Sequence, residues 1–150
     1  MTENTQSGAP GVGKLDLVVL DVPDVKQSAA FWAELTGAQT EQEESEGFLT
    51  LLTPDGWSIG FQPAPNLIPP QWPGQERPQQ MHIDLRAPDL ATATERALEL
   101  GATLLRESES WNTLADPAGH PFDLCLAEDN PGLTVMGVTV DCPDSHALAE

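Results

Sequence analysis

Positive charge is scarce in this chain of 150 residues, which has 6 lysines and arginines against 24 aspartates and glutamates and a formal net charge of -18. Such a surface repels phosphate backbones and anionic lipid headgroups, so we expect neither a nucleic-acid partner nor a membrane partner. The sequence also lacks any apolar stretch near the roughly 18 residues that a membrane-spanning helix needs.

Tyrosine is absent, and cysteine occurs only at Cys125 and Cys142. These two cysteines form neither a disulfide framework nor a Cys-x-x-Cys pair. Residues 1–13 lack the basic and apolar regions of a secretory signal peptide, and they are predicted to be a flexible tail. Together these features favour a reduced, cytoplasmic protein, and a hydrophobic fraction of 39% is enough for a packed core.

An internal repeat organises the rest of the chain. The sequence V-V-L-D-V-P-D-V at residues 18–25 returns as I-D-L-R-A-P-D-L at residues 83–90. A second pair of similar segments, T-P-D-G at 53–56 and D-P-A-G at 116–119, follows at nearly the same spacing. Because both pairs occur in the same order, the pattern indicates a duplicated module.

Each copy of the repeat reads as a strand, a helix and three further strands. Asp24 and Asp89 follow the first strands of their copies, where each is placed to cap a helix. The sequence therefore predicts an α+β fold of two tandem βαβββ modules, which form a curved mixed sheet around a cleft with the helices on the outer face. The predicted first strands and helices are 15–22 and 25–36 in the first copy and 81–87 and 90–100 in the second.

The predicted modules span residues 14–62 and 81–128. A single module of this size buries too little surface to fold alone, so the two copies must share a core. Residues 63–80 between them hold six of the fourteen prolines and are either a stiff linker or a wall of the cleft. Residues 129–150 contain V-T-V-D-C-P-D, which resembles the start of a third module. This segment belongs to a longer protein, packs onto a neighbour or is a mobile tail.

The paired modules, with Pro-Asp before each helix and a Pro-x-Gly turn before each last strand, resemble the vicinal oxygen chelate superfamily. That group includes glyoxalase I, extradiol dioxygenases and bleomycin-resistance proteins. The segments G-W-S-I-G-F-Q, P-P-x-W-P, P-Q-Q-M-H-I-D-L and D-P-A-G-H-P-F-D-L-C are similar to those of actinobacterial glyoxalase-like proteins. The resemblance covers about Leu15 to Ala127 and implies the fold more than the function.

In the metal-using relatives, the first and last strands of each module supply one metal ligand each. The resemblance carries these four positions onto Leu17, Gly60 or Gln62, His82 and Asp123. Leu17 and Gly60 have no donor atom in their side chains, which leaves His82 and Asp123 as weak candidates. We therefore expect no cofactor, and a divalent metal only as the less favoured outcome.

The alternation of β-strand side chains places Asp84 and Arg86 on the same face as His82. These polar residues form either a structural network or a polar floor that binds a ligand. Trp72 and Trp111 are candidates for stacking on a flat ligand. The predicted ligand-binding residues are Leu17, Val19, Gln62, Trp72, His82, Asp84, Arg86, Trp111 and Asp123.

Three functions remain open at this point. The first is a small-molecule binding or resistance protein that lacks a complete metal site. Its ligand would be a natural product or antibiotic, as in bleomycin-resistance proteins. The second is a lyase, isomerase or dioxygenase in which His82 and Asp123 are catalytic. The third is a non-catalytic assembly module of a larger protein. The resemblance also implies a homodimer.

Overall fold

Nine strands and three helices form over the residues that the computed structural model describes, 11–149. Residues 1–10, most of the predicted tail, lie outside the described residues. The α+β fold of tandem βαβββ modules is confirmed. The strands are β1 (Val18–Val22), β2 (Gln39–Glu43), β3 (Leu49–Leu52), β4 (Ser58–Pro63), β5 (Met81–Ala87), β6 (Thr103–Glu107), β7 (Trp111–Ala115), β8 (Pro121–Leu126) and β9 (Thr134–Val140), and the helices are α1 (Val25–Thr36), α2 (Leu90–Glu99) and α3 (Ser145–Ala149).

The two long helices begin in the same way. Asp24 and Asp89 have extended backbones, and each carboxylate accepts the backbone N–H three residues later at 3.0 Å. These bonds satisfy amide groups that the first helical turn leaves without a partner. Helix α1 ends at Gly37, whose φ of 76° is a left-handed conformation that glycine adopts without strain.

The strands form two mixed sheets, ordered β1-β4-β3-β2 and β6-β7-β8-β5-β9. We call the β1–β4 unit module one and the β5–β8 unit module two. In each module the first strand runs parallel to the last, and Val19 pairs with Gly60 as Asp84 pairs with Asp123. The repeat in the sequence is therefore a repeat in strand register as well.

Helix α1 packs on strands β3 and β4 of its own module, and its aromatic side chains also reach module two. Its Phe31 and Trp32 rings meet Phe122 of β8 edge-on, with ring centroids 5.9 and 5.2 Å apart. The indole N–H of Trp32 donates to the buried carboxylate of Asp116 at 3.0 Å. Aromatic packing and a satisfied buried hydrogen bond thus join the two modules in one core.

The proline-rich segment between the modules packs against the β7–β8 turn. A Cβ atom on Gly119 in that turn would lie 2.9 Å from Pro69. His120 Nδ1 lies 2.7 Å from Gln79 Oε1, and its Nε2 lies 2.6 Å from the carbonyl oxygen of Asp21. These contacts make His120 a structural bridge between the modules.

The segment that resembles a third module forms strand β9, which pairs antiparallel with β5 at the edge of the second sheet. Thr139 lies opposite His82, and Gly137 lies opposite Asp84. The register shifts between Asp84 and Leu85, which leaves Met136 in a β-bulge. No helix within residues 11–149 is long and apolar enough to cross a membrane.

Candidate metal centre

Three side chains with metal-binding atoms converge on one face of the second sheet. His82 Nε2 lies 3.2 Å from Asp84 Oδ1 and 3.4 Å from Asp123 Oδ2. His82 and Asp84 share this face because they are two residues apart on β5. Asp123 joins them because it is the register partner of Asp84 on the parallel strand β8. One ligand atom from each of the three lies within 4.8 Å of the others.

Two threonines hold the outer oxygens of the carboxylates. Thr113 Oγ1 on β7 donates to Asp123 Oδ1 at 2.5 Å, and the Thr139 hydroxyl on β9 donates to Asp84 Oδ2. The remaining oxygen of each carboxylate faces His82. Strands on both sides of β5 and β8 therefore orient the group, as outer partners of metal ligands commonly do.

The charges in the group support one another. Contacts with the carboxylates of Asp123 and Asp84 outweigh the effect of burial and raise the pKa of His82 to about 10. Burial opposes ionisation of Asp123, but hydrogen bonds from His82 and Thr113, with the charges of His82 and Arg106, lower its pKa overall. The positive charges of His82 and Arg106 thus favour the ionised form of Asp123.

The group fits a divalent cation. Asp84 is buried, and its Oδ1 accepts no well-aligned hydrogen bond from any described residue; its close contact is the ion pair with His82 at 3.2 Å. A buried carboxylate oxygen without a well-aligned hydrogen bond is costly, and a bound cation would stabilise it. One imidazole nitrogen with carboxylate oxygens is a donor set that suits ions such as Mn²⁺, and a further ligand would come from solvent or substrate.

The expectation of no cofactor is therefore wrong: the side chains point to a metal rather than none. The error came from carrying over one ligand per strand from the resemblance. Leu17 and Gly60 indeed offer no donor, but β5 contributes two donors, His82 and Asp84. The third donor is Asp84 rather than Gln62.

A cavity of about 340 Å³ lies over the group. Met136 reaches it from the bulge in β9, and Trp111 reaches it from β7. Burial raises the pKa of the Cys125 thiol to about 11, so this group stays protonated and neutral near pH 7. The cavity is lined by His82, Asp84, Ser110, Trp111, Asp123, Cys125, Met136 and Thr139.

The other predicted ligand-binding residues lie elsewhere. Leu17 and Val19 line a larger cavity of about 730 Å³ beside β1, which β9 borders through Val138 and Val140. Gln62 lines a third cavity, of about 410 Å³. Neither Trp72 nor Arg86 lines any of these three cavities, although Arg86 lies on the same strand as Asp84. Ligand binding by these residues stays a prediction.

Sequence reasoning missed Thr113, Thr139 and Met136. The repeat itself held a signal for the first of these, because Thr50 pairs with Gly60 as Thr113 pairs with Asp123. Aligning the third strands of the two copies would have placed Thr113 beside the predicted carboxylate.

Comparison with known proteins supports the fold. Residues 17–125 match the family of glyoxalase-like domains. No curated protein matches the chain significantly. The fosfomycin resistance protein FosX from Listeria monocytogenes, solved with Mn(II) and a sulfate ion, is 18% identical, with 78% of this chain and 94% of that chain covered and a TM-score of 0.62. A glyoxalase/dioxygenase from Nostoc punctiforme is 20% identical, with 79% and 94% covered and a TM-score of 0.62.

These structural neighbours are distant in sequence and show the fold alone, whereas the family match covers most of the chain. With the paired βαβββ modules and their equivalent registers, the match places the protein: the chain belongs to the glyoxalase-like domain family of the vicinal oxygen chelate superfamily.

Proposed function

We propose that this protein is a metal-dependent enzyme that acts on a small molecule in the cavity over His82, Asp84 and Asp123. The observation that carries the proposal is the convergence of His82, Asp84 and Asp123, in which the buried Asp84 Oδ1 has no well-aligned hydrogen bond from the described residues and only the ion pair with His82 at 3.2 Å. A distant structural neighbour, FosX, was crystallised with Mn(II), which supports a divalent ion of this kind. When bound, such an ion would polarise a substrate oxygen.

The protein's own residues prepare the site for this chemistry. Thr113 and Thr139 fix the two carboxylates on rigid strands, so that little reorganisation is needed when a ligand binds. Trp111 and Met136, both partly exposed to solvent, give the cavity apolar surface for a substrate to contact. The protonated thiol of Cys125 is a neutral part of the wall rather than a metal ligand.

The donor set favours a lyase or isomerase over a dioxygenase. Non-haem iron oxygenases commonly use two histidines and one carboxylate, whereas this group has one histidine and two carboxylates. The additional carboxylate gives the site a harder ligand set, in the sense of hard and soft ligands. Such a set is more suited to polarising a substrate oxygen atom than to activating O₂. His82 and Asp123 keep the catalytic role predicted for them, as ligands of the ion.

Metal content tests the proposal. Protein purified without chelator should contain about one divalent ion per chain, measured by elemental analysis. Metal-free protein should bind Mn(II) in a calorimetric titration, and His82→Gln, Asp84→Asn and Asp123→Asn should each weaken binding about 100-fold, because each removes a donor or a charge. The matched controls are His146→Gln on the exposed helix α3 and Asp129→Asn on an exposed turn.

Stoichiometric metal that is lost on His82→Gln and retained in His146→Gln would support the proposal. Absence of bound metal together with no heat of Mn(II) binding would contradict it. Equal Mn(II) affinity in the wild type and Asp84→Asn would contradict the place of Asp84 in the site.

A second function, sequestration of an apolar natural product or antibiotic, is favoured by the larger cavity. Leu17, Val19 and Trp57 help line its volume of about 730 Å³, which is in the range of small-molecule pockets. A ligand that binds there should raise the melting temperature of the wild type and of His82→Gln equally. A shift that disappears in His82→Gln would place the ligand at the metal centre instead.

The homodimer and the cytoplasmic location stay predictions, as does the role of residues 129–150 in a larger assembly. Strand β9 already pairs with β5 of its own chain, which speaks for a local role of this segment. Light scattering of the full chain would give the oligomeric state.

A further inference from the structure

Two arginines lie on the same face of the sheet as the candidate metal centre. Arg86 follows Asp84 by two residues on β5, and Arg106 lies on β6 opposite Thr113. One row of paired residues runs across all five strands through Arg106, Thr113, Asp123, Asp84 and Gly137.

The next row toward the end of β5 contains the second arginine. It runs from Trp111 through Cys125 and Arg86 to Thr134. The Arg106 guanidinium lies 5.7 Å from the centre of the Trp111 ring, so the two rows are joined by a cation–π contact. Neither arginine lines the cavity, but each lies next to a residue that does: Arg106 beside Trp111, and Arg86 opposite Cys125.

The placement is notable because positive charge is rare in this chain, with 6 lysines and arginines against 24 acidic residues. Arg96, on helix α2, is paired with Glu34 and Glu99 at 3.3 and 3.7 Å. Within residues 11–149, Arg86 and Arg106 form no ion pair with a carboxylate within 4.0 Å, and both are exposed.

The summed charge of the metal centre indicates a role for these two arginines. A divalent cation with a neutral His82 and the carboxylates of Asp84 and Asp123 sums to zero, so Arg86 and Arg106 leave the face positive. In a chain of net charge -18, a distant anion is repelled, and only a local positive face binds one. Guanidinium groups match the geometry of oxyanions.

We propose that the substrate is a small organic acid, whose oxyanion group is bound by Arg86 and Arg106 and whose apolar part lies against Trp111. This inference rests on the proposed function, in which the substrate reacts at the candidate metal centre. The oxyanion group would then lie beside the reacting atoms. It assigns Arg86 and Arg106 a binding role in addition to the effect of Arg106 on the pKa of Asp123.

Three probes of similar size test the charge requirement: benzoate, phenylphosphonate and neutral benzamide. Each is titrated by calorimetry into Mn(II)-loaded protein and into metal-free protein. Both anions should bind at least about tenfold more tightly than benzamide, and Arg86→Gln and Arg106→Gln should each reduce anion affinity about fivefold to tenfold. Arg96→Gln changes the net charge equally and should leave the affinity unchanged. A preference between the two anions assigns the carboxylate or the phosphonate as the group recognised.

The outcomes separate this inference from the proposed function. If Mn(II) binds but benzamide binds as well as benzoate and phenylphosphonate, the inference is overturned and the metal centre stands. Equal losses in Arg96→Gln and Arg86→Gln also overturn it, because they reduce the effect to overall charge. If Mn(II) does not bind, the proposed function fails, and the metal-free titration decides: anion binding that depends on Arg86 or Arg106 supports the inference, and its absence overturns it.

Discussion

The two modules have the same strand register but opposite chemistry at equivalent positions. Val19 pairs with Gly60 in module one as Asp84 pairs with Asp123 in module two. The third strands agree as well, since Thr50 lies opposite Gly60 as Thr113 lies opposite Asp123. The backbone therefore offers the same geometry twice, and only the side chains decide which copy can hold a cation.

Apolar side chains fill the place in module one that corresponds to the centre in module two. A Cβ atom on Gly60 would lie 2.7 Å from Leu17 Cδ1 and 2.7 Å from Phe48 Cζ. In module two the equivalent positions hold His82, Asp123 and, for Phe48, the half-exposed Trp111 that lines the cavity. The two modules thus share a scaffold, but Leu17 and Phe48 fill the space over Gly60, whereas the equivalent space over Asp123 is part of a cavity.

The modules also differ at the edge of their first strands. In module two, β5 is flanked by β9, whose Thr139 binds Asp84, whereas β1 is the edge strand of the four-stranded sheet. The segment that resembles a third module thus supplies one of the two hydroxyl groups that orient the candidate ligands. Its pairing beside β5 makes it part of the site.

The strongest way to break the comparison is to give module two the side chains of module one. The triple variant His82→Leu, Asp84→Val, Asp123→Gly copies Leu17, Val19 and Gly60 and should lose Mn(II) binding by at least about 1,000-fold, since all three donors are gone. Calorimetry measures the affinity, and far-ultraviolet circular dichroism checks that the sheet still forms. Stoichiometric Mn(II) binding by a folded triple variant would show that the centre lies elsewhere.

The pH dependence of the free energy of unfolding offers a second contrast between the modules. The equivalent positions are Leu17, which cannot titrate, and His82, which can. In metal-free protein, the pKa of His82 is raised from 6.5 to about 10 by its contacts with the carboxylates of Asp123 and Asp84. Its contribution to stability is therefore fully present below about pH 6.5 and is lost as pH rises toward 10. Urea unfolding with chelator present should show that the wild type loses its advantage over His82→Leu across this range.

The control for this profile is His146→Leu on the exposed helix α3, which should leave the dependence on pH unchanged. A difference between wild type and His82→Leu that stays constant, or grows with pH, would mean that the folded protein does not hold His82 in its charged form.

The fold was largely predictable from the sequence because its determinants are local. Capping aspartates and apolar periodicity predicted α1 at residues 25–36, and alternation predicted β5 at residues 81–87, both as observed. The shared face of His82 and Asp84 followed from the same alternation. Long-range pairing was not predictable: neither the position of β9 beside β5 nor the bulge at Met136 has a local signal, so Thr139 was missed.

A subtler test concerns the threonines, which are buried at equivalent positions in both modules. Thr113→Val removes the hydroxyl that donates to Asp123 Oδ1, so the carboxylate loses its orientation and Mn(II) affinity should fall about tenfold. Thr50→Val makes the same change opposite Gly60, where there is no carboxylate, and should leave Mn(II) affinity unchanged. Equal effects of both substitutions on affinity would assign the loss to packing rather than to the hydrogen bond.

The smallest expected effect is on stability, at glycines that face the two sites. Gly60→Ala places a methyl group against the tips of Leu17 and Phe48, which can shift, so the cost should be near the lower end of overpacking, about 1 kcal/mol. Gly137→Ala, opposite Asp84, meets nothing within 4 Å and should be neutral or slightly stabilising, because alanine restricts the unfolded chain. Urea midpoints of the two variants measure the difference, and Leu17→Ala combined with Gly60→Ala should cost less than the two separate substitutions add up to. If both glycines tolerate alanine equally, the space over Gly60 is as open as that at Gly137, and packing by Leu17 and Phe48 is not what separates the two copies.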